Sequence, residues 1–316
     1  MRIVFMGTPE FAVPSLEALI KEGYEVVAAV TQPDRPVGRK KTLTPPPVKV
    51  CAQAHGVPVL QFERIRRKEG REALSALRPD LFVTAAFGQI LSKAVLEIPQ
   101  LGTINVHASL LPQYRGPAPI NWCIINGERM AGVTTMMTNE GIDTGDMLLR
   151  DEVEIGENEN AEELTERLSF MGAQTLLRTL RALEDGSLVR TPQNEEQASY
   201  QPMLTREMGE MDWSRSAQQL HNQVRGLYPW PGAYTQMDGG VLKVWTSRVS
   251  GLQADGTPGT VVKADAKEGL FVACGTGVLQ IVELQAPGSK RMNARDYLRG
   301  KPMQPGTILG GSSHAE

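Results

Sequence analysis

Cysteine is scarce in this chain. There are three, Cys51, Cys123 and Cys274, widely spaced and without a C-x-x-C. That excludes a disulfide framework and a zinc ribbon, and it points to a reducing compartment. Long apolar runs are also lacking. The opening apolar stretch, Met1 to Met6, is too short for a signal peptide, and no run reaches the length of a membrane span. A cytoplasmic protein without membrane contact is therefore expected. Charge of one sign is missing too. Lys and Arg number 33 against 36 Asp and Glu, a net −3. The chain as a whole is no polycation, so any polyanion site must be a local patch. Aromatics make up 5 % of the residues, histidines number four, and neither repeats nor low-complexity tracts occur.

What remains is an ordinary globular composition, with 41 % hydrophobic and 22 % charged residues over 316 positions. That length favours two domains. Ile3 to Met6 reads as a buried strand, Gly7-Thr8-Pro9 as a turn, and Phe11 to Ile20 as a helix ended by Gly23. Further strands are expected at Glu25–Thr31, Leu81–Ala86 and Thr103–Val106. Strands alternating with helices imply an α/β fold with a mostly parallel, Rossmann-like sheet. Asn160 to Gly186 reads as a long helix, with Asn160 and Glu163 as a capping box. The polar stretch after it suggests a linker over 191–206, between a domain at 1–190 and another at 207–316. In the second domain Ser216 and Gln219 cap a helix that stops at Gly226. Strands are then expected at 233–237, 241–246, 259–264, 270–273 and 278–284, with Asp238-Gly239-Gly240 as a hairpin turn and a closing helix at 293–299. Five short strands suggest a small β-barrel of the oligonucleotide-binding (OB-like) type.

The first turn argues against a dinucleotide. Gly7-Thr8-Pro9-Glu10 is not G-x-G-x-x-G, and Pro9 and Glu10 stand where close backbone approach to a pyrophosphate needs glycine. No NAD is expected. His107 draws attention because it ends an apolar run at the edge where parallel sheets place their sites. Alternation puts Asn105 and His107 on one face of the strand. A histidine held only by a backbone carbonyl is the plain structural alternative. No His, Cys or carboxylate lies at short ligand spacing from His107, so no metal is expected. A G-x-S-x-G elbow is absent as well.

The surrounding text is more specific. It runs N-x-H-x-S-L-L-P-x-x-R-G-x-x-P from Asn105 to Pro119, and G-I-D-T-G-D follows from Gly141 to Asp146. This ordered pair resembles the formyltransferase family that uses 10-formyltetrahydrofolate. The resemblance implies a catalytic group of Asn105, His107 and Asp143. It also implies a reduced-folate pocket bordered by Ser109, Leu110, Leu111 and Pro112. The residue types suit the chemistry. An amine attacks the formyl carbon, negative charge grows on the formyl oxygen, and preorganised N–H donors stabilise it. Asp143 would orient His107 and help relay protons. For Asp146 a turn role is the simpler reading.

The acceptor must be read elsewhere. A basic, proline-rich loop follows the second strand, carrying Arg35, Arg39, Lys40 and Lys41, and is expected to be exposed. A second basic cluster, including Lys290 and Arg291, lies near the end of the chain. Both patches suit phosphate contacts, although a solvated surface has the same composition. Within the family, T-Q-P-D-R-P-x-G-R and the segments Met211–Ala217 and Val224–Pro231 resemble the members that formylate methionyl initiator tRNA. This resemblance runs from Met1 to about Leu309. It implies that tRNA is the partner and that Arg39 lies at its acceptor end; a monomer is expected. Lys40 and Pro46 depart from the common pattern of that loop. Formylation of a small amine, such as an amino-sugar nucleotide or glycinamide ribonucleotide, is the nearest alternative. An oxidoreductase and a non-catalytic RNA-binding module are more distant ones.

Overall fold

The computed structural model describes residues 1–310 apart from Arg39, Asp238, Ala254 and Asp255. The chain forms two compact units. One comprises Met1–Pro119, Ala131–Val153 and Thr165–Gln201; the other comprises Ile120–Met130, Glu154–Leu164 and the chain from Pro202 onward.

The first unit holds β1 (Arg2–Gly7), β2 (Glu25–Thr31), β3 (Arg35–Val37), β4 (Thr42–Thr44), β5 (Val59–Gln61), β6 (Leu81–Ala85), β7 (Thr103–His107), β8 (Met130–Met137) and β9 (Met147–Glu154). Seven of these make one sheet in the order β5-β2-β1-β6-β7-β8-β9. Pairing is parallel from β5 to β7 and antiparallel between β7 and β8. Ile3, Val4, Phe5 and Met6 are all 0 % exposed. A strand covered on both faces needs such a continuous apolar run. Strand order reverses beside β1, where β2 lies on one side and β6 on the other. That reversal opens a crevice at the C-terminal strand ends.

The helices of the first unit are α1 (Val13–Lys21), α2 (Pro47–Ala54), α3 (Lys68–Ala76) and α4 (Lys93–Leu96), while α5 (Pro119–Ile125) falls almost wholly in the second unit and α6 (Ala161–Glu184) begins there and continues in the first. Leu16 and Leu19 of α1, Val48 of α2 and Leu74 of α3 are fully buried. Each such side chain contributes roughly 1.5–3 kcal/mol by leaving water. The capping box of α6 forms as expected. Asn160 Oδ1 accepts from the Glu162 and Glu163 amides at 2.9 and 3.0 Å, and Glu163 returns a bond to the Asn160 amide. The basic segment is more regular than a loop, because β3 and β4 pair as a short antiparallel hairpin. Its base is pinned by Lys49 Nζ, which donates to Asp34 and Gln61 at 2.8–3.0 Å.

The second unit contains α7 (Ala217–Gly226), β10 (Ala233–Met237), β11 (Gly240–Ser250), β12 (Val261–Asp265), β13 (Gly269–Ala273), β14 (Val278–Gln285), β15 (Met292–Asn293) and α8 (Ala294–Gly300). Its antiparallel sheet runs β10-β11-β14-β13-β12, with β15 beside β14. Asp238, in the expected hairpin turn, lies outside the described residues. The two outer strands are joined by residues 306–310. Val261 and Gly259 exchange backbone bonds with Gly306, Thr307 and Leu309, and the Gly310 amide donates to Gln236 at 2.9 Å. This link gives the sheet its barrel-like closure. Leu220, Leu242, Leu279, Ile281 and Leu284 fill the inside with Trp213. The Trp213 indole N–H donates to Thr235 Oγ1 at 2.9 Å, so its polar edge is satisfied in the core. The capping box of Ser216 and Gln219 opens α7 as expected.

Candidate active site

Gly7 ends β1, where a dinucleotide site would begin. A Cβ there would lie 2.7 Å from Ala12 Cβ and 3.0 Å from the Ala85 carbonyl. Internal packing alone therefore requires this glycine.

The chemistry-bearing residues cluster at the end of β7. Asn105 faces β6, and its Oδ1 accepts a 2.7 Å bond from the buried Thr84 hydroxyl. Both amide N–H donors thus stay on the other side of the group. His107 is the last residue of the strand and 7 % exposed. Its Nε2 lies 3.0 Å from the Tyr114 carbonyl oxygen. A carbonyl can only accept, so Nε2 carries a proton and Nδ1 is the nitrogen left for chemistry. Asp143 Oδ1 stands 3.6 Å from Nδ1. The carboxylate is aimed by its other oxygen, which accepts from the Gly116 amide at 2.9 Å. Asp143 has φ +53°, in the left-handed region that Asp tolerates better than most residues. Gly116 has φ +108°, and a Cβ there would meet the Gln201 carbonyl at 2.7 Å, so only glycine serves.

The stretch expected to border folate forms a turn after β7. Ser109 Oγ donates to the Gln113 carbonyl at 2.7 Å. Thr134 Oγ1 donates to the Ser109 carbonyl and accepts from the Leu111 amide. Ser109, Leu111 and Pro112 are buried, and half-buried Leu110 packs over Gly132.

The segment after β6 is tied into the same sheet edge. The Phe87 carbonyl accepts from Thr8 Oγ1 at 2.9 Å and from Gln32 Nε2 at 3.3 Å, and Gln89 bonds the backbone of Phe62 and Ile65. Ile90 beyond it is 67 % exposed. Ala86 and Gly88, just past β6, are both at positive φ. Sequence reading missed the role of residues 193–201, expected as linker. They are bonded to the Tyr114–Gly116 turn within the first unit. Composition cannot distinguish a solvated polar strand from one paired with a buried cation.

The basic residues fall differently. Arg35 pairs with Glu63 across 2.7 Å on the surface. Lys40 and Lys41 are exposed at the hairpin tip, and Arg39 lies outside the described residues. Lys290 is exposed. Arg291 is engaged: it stacks over Tyr228 and Trp245 at 5.4 and 5.0 Å and pairs with Glu283, whose carboxyl it holds below the usual range.

One trio of possible metal ligands meets among the described residues, Glu17, Cys51 and His55, with ligand atoms within 4.8 Å. Burial, then the nearby Glu17 and Glu10 carboxylates, push the Cys51 thiol up to about 11. Glu17 lies on α1, Cys51 on α2 and His55 just past it, all outside the His107 cluster. No helix among the described residues is long and apolar enough to cross a membrane.

Comparison with known proteins places the whole chain in one family. The family described as Formyl transferase matches residues 1–180, and Formyl transferase, C-terminal domain, matches residues 203–302. The methionyl-tRNA formyltransferase of Citrifermentans bemidjiense is 54 % identical over 310 residues, covering 98 % of this chain and 96 % of its own. That of Ruminiclostridium cellulolyticum is 51 % identical over 312 residues, covering 98 % and 100 %. Among solved structures, an N-formyltransferase from Helicobacter canadensis, in complex with folinic acid and dTDP-3-aminofucose, superposes with a TM-score of 0.68 at 18 % identity, over 90 % of this chain and 98 % of that one. HypX from Aquifex aeolicus in complex with tetrahydrofolic acid gives 0.64 at 18 %, over 99 % of this chain but 51 % of that longer one. These two likenesses speak for the fold alone. With both family segments matched in order along its length, the chain belongs to the formyl transferase family.

Proposed function

We propose that the protein transfers a formyl group from 10-formyltetrahydrofolate to the amino group of methionyl initiator tRNA. The observation that carries the chemistry is the Asn105–His107–Asp143 cluster at the strand ends. The acceptor reading rests on relatives named methionyl-tRNA formyltransferase that match both units at 51–54 % identity.

The amine nitrogen attacks the formyl carbon, and the carbonyl electron pair moves onto oxygen. Asn105 Nδ2–H donates to that oxygen, and Thr84 keeps the amide turned correctly. The tetrahedral adduct collapses as the bond to folate N10 breaks. The incoming nitrogen loses a proton and N10 gains one, leaving tetrahydrofolate. His107 Nδ1 and the Asp143 carboxylate lie together to hold and pass that proton. Their 3.6 Å separation is longer than a hydrogen bond, as catalytic contacts often are before substrates tighten them. No covalent enzyme intermediate is needed. Holding two substrates in line is itself a large contribution.

Ser109 to Pro112 shape the reduced-folate side by fixing the turn. Lys40 and Lys41, with Arg35 and Arg39 in the same segment, and Lys290 with Arg291 on the second unit, are the basic groups assigned to tRNA phosphates. The enzyme acts as a cytoplasmic monomer, with a catalytic domain at 1–190 and a tRNA-binding domain from 207, and needs neither metal nor NAD. The test is formyl transfer from 10-formyltetrahydrofolate with charged initiator tRNA, an amino-sugar nucleotide and glycinamide ribonucleotide as parallel acceptors. Product on tRNA alone supports the reading. Product on a small amine alone overturns the acceptor but keeps the chemistry.

A further inference from the structure

Residues 193–201 form a clasp behind the Tyr114–Gly116 turn that holds His107 and the loop that carries Asp143. At its centre is Gln193. Its Nε2 donates to the carbonyls of Asp143 and Gly145 at 2.8 and 2.7 Å, and its Oε1 accepts from Arg115 Nε at 3.0 Å. Both N–H donors and one lone pair are used, so the amide has a single workable orientation. Rotating it would set an oxygen against two carbonyl oxygens.

Arg115 is equally committed. Its side chain is 7 % exposed, and its other two nitrogens fork onto Glu195 at 2.9 and 2.8 Å. Its backbone amide donates to the Ser199 carbonyl, and its carbonyl accepts from Gln201. The neighbouring Tyr114 amide donates to Ser199 Oγ at 2.8 Å. The turn thus clamped supplies the Tyr114 carbonyl to His107 and the Gly116 amide to Asp143. Gln193 therefore ties together the turn that orients both groups and the left-handed loop that presents Asp143.

We propose that Gln193 is a positioning residue for the reaction, setting the Asp143 carboxylate against His107 Nδ1 by bridging the Arg115 turn to the Asp143–Gly145 loop. It touches neither substrate nor reacting atoms in this scheme. The proposal rests on the catalytic assignment of Asp143 and His107. A misplacement of about 1 Å away from the chemistry can cost about 100-fold in rate.

Two variants test it. Gln193→Ala deletes the bridge. Gln193→Glu keeps the shape and the Arg115 partner but removes both donors. Each should lower kcat about 10- to 100-fold, leave KM for folate and tRNA within about threefold, and displace the pH profile of kcat. In an Asp143→Asn background the same substitutions should add almost nothing, since coupled residues are non-additive. Normal kcat in both variants overturns the proposal. So does a loss of kcat that follows thermal stability with an unmoved pH profile. If Asp143→Asn itself keeps full turnover, the catalytic assignment has failed instead. If Asp143→Asn is impaired while Gln193→Ala and Gln193→Glu are normal, only the positioning role has failed.

Discussion

Asn105 offers the sharpest test of the chemistry, because its supporting partner can be removed separately. Asn105→Ala deletes the donor aimed at the formyl oxygen. It also leaves the Thr84 hydroxyl, 6 % exposed, without the acceptor it holds at 2.7 Å. An unsatisfied buried hydroxyl costs about 1–3 kcal/mol of stability. Folded domains hold roughly 5–15 kcal/mol in reserve, so the variant stays folded. Loss of one preorganised donor costs about 2.7–4 kcal/mol in the barrier, which is roughly 100- to 1,000-fold in turnover. Thr84→Val breaks the same hydrogen bond from the other side but keeps the donor. Its stability loss should be similar, while turnover should fall by about the worth of one neutral bond, 0.5–1.5 kcal/mol, roughly two- to twelvefold. The assay is single-turnover formyl transfer at saturating folate and charged tRNA, with thermal unfolding measured in parallel. Equal turnover losses in the two variants would refute the oxyanion role. The side chain would then matter only as part of the strand pairing.

Reversing the hairpin tip with Lys40→Glu and Lys41→Glu should raise KM for tRNA, leave folate binding unchanged, and flatten the salt dependence of tRNA use. Each lysine seated on a phosphate contributes about 0.9 to that logarithmic slope, and an unchanged slope would make the tip a bystander. His221 predicts a pH effect on the second unit. It is 2 % exposed and bonds Ser247 Oγ and the Glu157 carbonyl. Burial, chiefly, lowers its proton affinity below the ordinary 6.5, although the Glu157 carbonyl pulls the other way. The folded state therefore binds fewer protons than the unfolded one. Stability is full above about pH 6.5 and declines as pH falls toward the depressed folded value. Denaturant melts of the wild type and of His221→Gln across pH 5–8 should show that decline in the wild type only.

The local patterns carried much of this structure. Two-sided burial makes β1 a continuous apolar run, and caps at Asn160 and Ser216 announce their helices one residue ahead. His107 was placed at a strand end by its apolar approach, and the motif joined it to Asp143. What stayed hidden depends on contacts distant in sequence. Arg115 meets Glu195 across 80 positions, a separation that leaves no periodic trace. The grouping of 120–130 and 154–164 with the second unit is likewise a matter of tertiary contacts. Arg291 looked like a free cation because composition says nothing about Glu283 or the rings of Tyr228 and Trp245. The hairpin at 35–44 was masked by prolines, which usually mark edges and turns.

The link made by residues 306–310 has a bearing on how the protein keeps to itself. Without it, the outer edge of β12 would lose the backbone partners of Val261, and β10 would lose its bond at Gln236, while the Tyr234 carbonyl would still accept from the Met211 amide. Such borders recruit the borders of other molecules. These few residues thus cover strand borders open to strand addition, and a fusion or truncation that pulled them away should make the protein more prone to stacking.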